Sequence, residues 1–297
     1  MKYVITGSIG HISKPIVQQL VAKNHQVTVI TSSTDRVKDI EALGAEAAVG
    51  SVEDASFVSR AFEGADAVYL MIPPNWSPQG GWYEYQQKVA DIFVQAVQAG
   101  KVKFVVLLSS IGAHMRKGAG PVDGLGYAEE RLEKLKDVHV KVLRPSYFYY
   151  NLFSMIPLIK NMNIMGSNFG GTDEKLVLTD TSDIAEVASN HLSKLDFKGF
   201  SVEYIGSDER HPNEIAKVLG DAIGKPGIPW VQFPDDQSLQ GMLQAGLAEP
   251  IAKGYTQLGI ALREGAMQAS YWKNRPALGK VKLEDFAQQF ASVYQKA

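Results

Sequence analysis

One segment constrains this chain more than any other: Val4-Ile5-Thr6-Gly7-Ser8-Ile9-Gly10-His11-Ile12-Ser13-Lys14-Pro15. A short apolar run ends at a glycine, a second glycine follows three residues on, and apolar residues at helical spacing begin directly after it. Strand, tight turn and helix in that order set free helical N–H groups at the end of the strand, where a diphosphate is attracted. Gly7 permits the turn, and Gly10 lets backbone approach a pyrophosphate with no Cβ in the way. The spacing is Gly-x-x-Gly-x-x-Ser, so Ser13 stands where a third small residue lets helix and strand pack closely. Pro15 is tolerated because the first helical N–H groups have no intrahelical partner. Ser8, Ile9, His11 and Ile12 complete the expected cofactor loop, with His11 acting through its backbone. A βα turn that holds no ligand is the competing reading.

The rest of the first half repeats this texture. Strands are expected at Lys2–Thr6, Gln26–Thr31, Ala45–Val49, Ala67–Met71, Lys103–Leu108 and Val138–Leu143, and helices at His11–Lys23, Arg36–Leu43, Ala55–Phe62, Trp82–Gln98 and Gly126–Leu135. Near-continuous apolar strands such as Phe104–Leu108 belong to parallel sheets covered on both faces. The alternation predicts an α/β fold, a doubly wound parallel sheet of Rossmann type. After Arg144-Pro145 the texture changes to the aromatic run Tyr147–Tyr150 and a Gly/Asn-rich stretch, Asn161–Gly171, read as loop. A strand at Lys175–Thr179, a helix at Ser182–Leu195, a strand at Ser201–Ile205 and a helix at Pro212–Ile223 follow, and the remainder reads as helical. The expected division is a dinucleotide-binding domain over 1–150, with 175–206 returning to its sheet. A smaller, mainly helical substrate-side region then comprises 151–174 and 207–297.

Composition narrows the function. The chain has no cysteine, which excludes disulfides, thiolate metal sites and cysteine nucleophiles. Its 30 basic and 32 acidic residues leave a net charge of −2, so no broad field invites nucleic acid or an anionic membrane. The six histidines show no metal-ligand spacing, so no metal is expected. No apolar run is long enough to span a bilayer. The short opening run Tyr3-Val4-Ile5 lacks a secretory pattern, so a cytoplasmic location is expected. Gly220-Asp221-Ala222-Ile223-Gly224-Lys225-Pro226 imitates a P-loop but has the wrong spacing and follows a helix.

Thr6-Gly7-Ser8-Ile9-Gly10-His11-Ile12-Ser13 resembles the glycine loop of the NmrA-like branch of the atypical short-chain dehydrogenases/reductases. Gly64–Val68, Val106–Ser110, Leu143-Arg144-Pro145-Ser146-Tyr147-Phe148-Tyr149-Tyr150-Asn151 and Thr181–Ala185 are similar to further segments of that branch, in the same order. The resemblance implies an NAD(P)-binding protein, and the branch includes enzymes and regulators.

In such folds a carboxylate at the end of the second strand selects NAD. Here that position reads Thr31-Ser32-Ser33, and Arg36 or Lys38 can supply the nearby positive charge. NADP is therefore the expected cofactor, with NAD the alternative. Ser51 after the third strand, Ile72 and Pro73 after the fourth, and Ser109 after the fifth are expected to line it, at the carboxyl edge where ligands sit.

Reductases of this superfamily pair a Tyr with a Lys four residues on. Tyr127 and Arg131 have the spacing, but a fixed guanidinium replaces the ammonium. Tyr127 is the candidate catalytic residue, with packing against the sheet as its bland role. Trp82, Tyr147 and Asn151 are candidate substrate contacts, and Asn151 alternatively caps a helix starting near Leu152. The run Glu129–Lys134 reads as a solvated helix face. The expected function is reduction of a small aromatic or conjugated, quinone-like acceptor by hydride from NADPH, because solvent can complete protonation of such products. The alternative is an NAD(P)-binding redox sensor that signals through a protein partner. A sugar-nucleotide epimerase would need the intact Tyr/Lys pair.

Overall fold

The protein is described by a computed structural model covering residues 1–78, 80–171 and 174–297. It comprises two compact units. One is Met1–Ser110, Gly124–Arg144 and Ile184–Glu203; the other is Ile111–Asp123, Pro145–Asp183 and Tyr204–Ala297.

The first unit follows the alternation of the sequence: β1 Lys2–Ile5, α1 Ser13–Ala22, β2 Gln26–Thr31, α2 Val37–Ala42, β3 Glu46–Val49, α3 Ala55–Phe62, β4 Ala67–Leu70, α4 Trp82–Ala99, β5 Phe104–Leu108, α5 Asp123–Glu133 and β6 His139–Pro145. Neighbouring strands among β1–β6 pair in parallel. Their order, β6-β5-β4-β1-β2-β3, reverses direction between β1 and β4, which is where α/β sheets open a crevice at their carboxyl ends. Helices cover both faces. Val4, Val68, Leu70, Val105, Leu107, Val140 and Val142 face a core built with Phe62, Val89, Phe93, Val97 and Leu132 of α3, α4 and α5. Asp54 starts α3 by accepting from the Phe57 N–H at 3.0 Å, an ordinary N-cap. On the other face Tyr3 is fully buried, and its hydroxyl donates to the Leu192 carbonyl at 2.9 Å.

The remaining elements are β7 Tyr147–Phe148, α6 Ile156–Met162, β8 Met165–Ser167, β9 Leu176–Thr179, α7 Thr181–Lys194, β10 Phe200–Ile205, β11 Asp208–Arg210, α8 Pro212–Ala222, β12 Trp230–Gln232, α9 Asp235–Gln244, α10 Glu249–Arg263, α11 Ala269–Lys273 and α12 Leu283–Lys296. Of the stretch expected to return to the large sheet, β10 does so, beside β6, whereas β9 lies in a three-stranded sheet between β11 and β7. The Asn161–Gly171 loop reading is corrected: it holds β8, which pairs in parallel with β12. Asn151 does not cap a helix. A 3₁₀ helix spans Tyr149–Met155, and Asn151 is exposed in its third position. In the second unit Tyr149, Phe153, Phe286 and Phe290 stack between that turn and α12. Asp183 (5% exposed) anchors the approach to α12, accepting from the Ser207 hydroxyl at 2.6 Å and the Lys280 N–H at 3.1 Å.

Candidate cofactor site

The glycine loop sits at the carboxyl end of β1, beside the switch point. Gly7 has φ +85° and Ser8 φ +57°, so the chain turns through two successive left-handed residues. The Ser8 N–H donates to the Ile30 carbonyl at 3.0 Å and its hydroxyl to Thr31 Oγ1 at 3.1 Å, tying the turn to the end of β2. Thr6 ties it to β4: its Oγ1 accepts from the Met71 N–H at 2.7 Å, and the Met71 side chain lies against Gly7. The ladder of α1 begins with the Lys14 N–H donating to the Gly10 carbonyl at 3.0 Å. The amides of Ile9, Gly10, His11, Ile12 and Ser13 thus precede the ladder, at the positive end of the helix. Ile9 and Ile12 are half-buried, whereas Gly10 and His11 are exposed. Ser13 is buried with its hydroxyl donating to the Thr6 carbonyl at 3.4 Å, so a small residue does close the helix onto the strand.

Above Gly10 the space is open: an added Cβ would meet nothing within 4 Å. A side chain at this position would enter the space in front of the helix N-terminus, where a diphosphate is attracted.

The end of β2 carries hydroxyls and no carboxylate. Thr31 is buried, and its Oγ1 accepts from the Ser33 N–H at 3.2 Å, which fixes the turn into Thr34–Arg36. Ser32 and Arg36 are exposed there, and Ser33 is half-buried. Serine hydroxyls followed within a few residues by an exposed arginine are group types that suit a phosphate dianion. Ser51 is exposed and its Oγ accepts from the Glu53 N–H at 3.1 Å, capping its own turn.

Ile72 is buried beyond β4, and the Pro73 carbonyl accepts from the Tyr85 hydroxyl at 2.9 Å. The indole of Trp82 donates to the Asn75 carbonyl at 2.5 Å and lies 6.1 Å from the Trp76 ring, which is 59% exposed. Thus two aromatic residues of the first turns of α4 pin the segment that follows β4. In the second unit the half-buried Tyr147 packs edge-on against Phe169 at 5.8 Å, and burial pushes its phenol up, with Tyr255 adding to this.

Two hydroxyls that could serve as proton donors have partners the sequence did not reveal. Tyr127 Oη lies 3.0 and 3.1 Å from the two carboxylate oxygens of Asp91 on α4, and Arg131 donates to the same Asp91 at 2.8 Å. The i,i+4 pair therefore converges on a carboxylate of α4. Burial, the hydrogen bond with Asp91 and the Asp91 charge push the Tyr127 phenol up, against a smaller opposing effect of Arg131.

Ser109 is 4% exposed and donates to Glu129 Oε1 at 2.5 Å. Arg144 grips both Glu129 oxygens, through Nε at 3.0 Å and through Nη2. The expectation that Glu129 lies on a solvated face is therefore wrong: the residue is 2% exposed. The signal was Arg144 itself, since a guanidinium inside a buried strand requires a buried carboxylate somewhere in the fold.

Comparison with known proteins identifies the family and the fold. The NAD(P)H-binding family matches residues 7–190. An NAD(P)H azoreductase of Xenophilus azovorans is 22% identical over 257 residues, 86% of this chain and 85% of its own. The crystal structure of an Escherichia coli NADPH-dependent quinone oxidoreductase complexed with NADPH superposes with a TM-score of 0.81 at 16% identity, covering 97% of this chain and 99% of that one. A Citrobacter triphenylmethane reductase complexed with NADP(H) gives 0.77 at 16% identity, over 97% and 99%. This chain belongs to the NAD(P)H-binding family.

Proposed function

We propose that the protein is an NADPH-dependent reductase of small conjugated, quinone-like acceptors, working on a small molecule in the cytoplasm. NADPH when bound supplies the hydride, and the overall change is acceptor plus NADPH plus a solvent proton giving reduced acceptor plus NADP⁺. Gly7, Ser8, Ile9, Gly10, His11, Ile12 and Ser13 would hold the diphosphate, Thr31, Ser32, Ser33 and Arg36 the 2′-phosphate end, and Ser51, Ile72, Pro73 and Ser109 the walls. Trp82 of the first unit is proposed to contact the acceptor. One observation supports this acceptor class above others. The protons of Tyr127 and Ser109 are engaged by Asp91 and Glu129, so neither is held ready for a product alkoxide. An acceptor reduced to a stabilised, weakly basic anion needs no such donor. The relatives described above, reductases of azo, quinone and triphenylmethane compounds by name, support the same class.

The test is NADPH oxidation against quinones, azo dyes and simple ketones, with saturable oxidation expected for the conjugated acceptors only. Tight NADPH binding with no oxidation by any acceptor would favour the sensor reading. Two substitutions sharpen it. Tyr127→Phe is expected to keep kcat within about threefold, whereas loss of a general acid costs roughly 100- to 10,000-fold. A fall of that size would make Tyr127 catalytic after all. Arg36→Ala is expected to raise the Kd for NADPH by roughly tenfold through the lost charge-assisted bond, leaving that for NADH unchanged. Equal effects on both cofactors would place the 2′-phosphate elsewhere.

A further inference from the structure

We propose that Ser109 accepts a hydrogen bond from the carboxamide N–H of the nicotinamide, and that Glu129, clamped by Arg144, is the positioning residue that keeps Ser109 an acceptor. This rests on the cofactor reading above, with the nicotinamide end seated at the carboxyl edge of β5.

A serine hydroxyl has one hydrogen and two lone pairs, and ordinarily its hydrogen rotates to suit whatever ligand arrives. Here it cannot. Glu129 is an acceptor-only carboxylate while paired with Arg144, whose guanidinium is charged at every working pH. The guanidinium grips both carboxylate oxygens, so the carboxylate is fixed in place and in orientation. Ser109 donates to it at 2.5 Å, and with 4%, 2% and 8% exposure for Ser109, Glu129 and Arg144, little water competes. Low local polarity strengthens each of these bonds and raises the cost of rearranging them. The Ser109 oxygen is left with lone pairs only, and such an oxygen recognises a donor.

Position points to the donor. β5 pairs in parallel with β4 up to Leu70↔Leu107, and Ser109 follows directly after the end of β5, its N–H donating to the Leu143 carbonyl of β6 at 2.8 Å. The β4 side of that edge is joined to the glycine loop through the Met71 N–H and Thr6. Ser109 thus lies at the carboxyl edge two strands along from β1, whose end carries the loop proposed for the diphosphate, with β4 between them. The reactive end of the dinucleotide carries one amide, and its NH₂ is a donor that an acceptor-only serine can read. The pair would thereby set which way the carboxamide points and hold the ring in one orientation.

The experiment measures binding, not turnover. Calorimetric Kd values would be obtained for NADP⁺, for its 3-acetylpyridine analogue, in which methyl replaces the amide NH₂, and for its nicotinic acid analogue, in which a carboxylate does. The parent protein is expected to prefer the amide over the acetyl compound by roughly 5- to 20-fold, the worth of one buried hydrogen bond, and to bind the acid most weakly because lone pairs would face a carboxylate. Ser109→Ala, a small change at a strand end, should bring amide and acetyl within about twofold of each other. Glu129→Gln should also shrink the amide preference and ease the penalty on the acid, because the hydroxyl could then turn to donate. A role for Glu129 in folding alone would lower the melting temperature and leave these ratios untouched. If Ser109→Ala keeps the parent's amide preference, the proposal is overturned. If Ser109→Ala loses the preference and a folded Glu129→Gln keeps it, the positioning role falls and the contact stands. A parent that binds NADP⁺ with no amide preference overturns the inference alone, whereas a parent that binds none of the three overturns the cofactor reading beneath it.

Discussion

Gly10→Val is expected to abolish tight cofactor binding while the protein folds as before. At Gly10 the backbone does not need glycine's conformational freedom, and an added side chain enters open space rather than a neighbour. Replacing glycine where the backbone already suits another residue changes stability by about 0.4–1 kcal/mol and usually favourably, by restricting the unfolded chain. The melting temperature should therefore stay within about 3 °C of the parent. The space that the side chain enters is the one proposed for the diphosphate. Two charge-assisted bonds from backbone N–H groups are worth roughly 3–6 kcal/mol together, so their loss weakens NADPH by roughly 100-fold or more. Gly7→Ala behaves differently. Its φ of +85° costs a Cβ-bearing residue about 1–2 kcal/mol, and the Met71 methyl must move as well, so both folding and binding should suffer. Thermal melts and NADPH titrations of the two variants separate a ligand cradle from a mere turn. Unchanged NADPH affinity in a folded Gly10→Val protein would remove the diphosphate from this loop.

That test is available because the loop was readable from the sequence. Its chemistry is local: two glycines three apart, a β-branched strand before them and a helix after them. The same holds for β2 and α3, whose bounds, Gln26–Thr31 and Ala55–Phe62, match the expected ones because a β-branched run and an Asp54 cap announce themselves within a few residues. What escaped depends on partners distant in the chain. Met165–Ser167 has no strand pattern of its own and becomes one only by pairing with Trp230–Gln232. Asp91 is 36 residues from Tyr127, and nothing in the helical spacing of Tyr127 and Arg131 says that both reach for it. Glu129 sits in a run of charges that reads as a wet helix face, and only the position of Arg144 among the apolar residues of β6 argues otherwise. Tertiary pairing decides such cases, and a charge pattern along one helix cannot.

The buried pair also predicts the second large effect. Glu129→Leu leaves the Arg144 guanidinium, 10% exposed in its side chain, without its carboxylate. Breaking a buried pair from one side costs roughly 3–5 kcal/mol, because a desolvated charge is left uncompensated. For a chain of this size that corresponds to a melting temperature lower by on the order of 10 °C, read on the transition that includes the first unit. Adding Arg144→Met to make Glu129→Leu/Arg144→Met removes the orphaned charge and fills the space with apolar atoms, and should recover most of the loss, since apolar replacements of buried pairs are often neutral or better. Recovery should stop at stability. The double variant offers Ser109 no carboxylate, so its hydroxyl rotates freely, and the preference for the nicotinamide amide over the acetyl analogue should stay lost. Thermal melts of the two variants, with the same pair of ligands, tell the two roles apart. Regained stability with a regained amide preference would mean that Glu129 and Arg144 only fill the sheet edge, and that Ser109 needs neither of them to read its ligand.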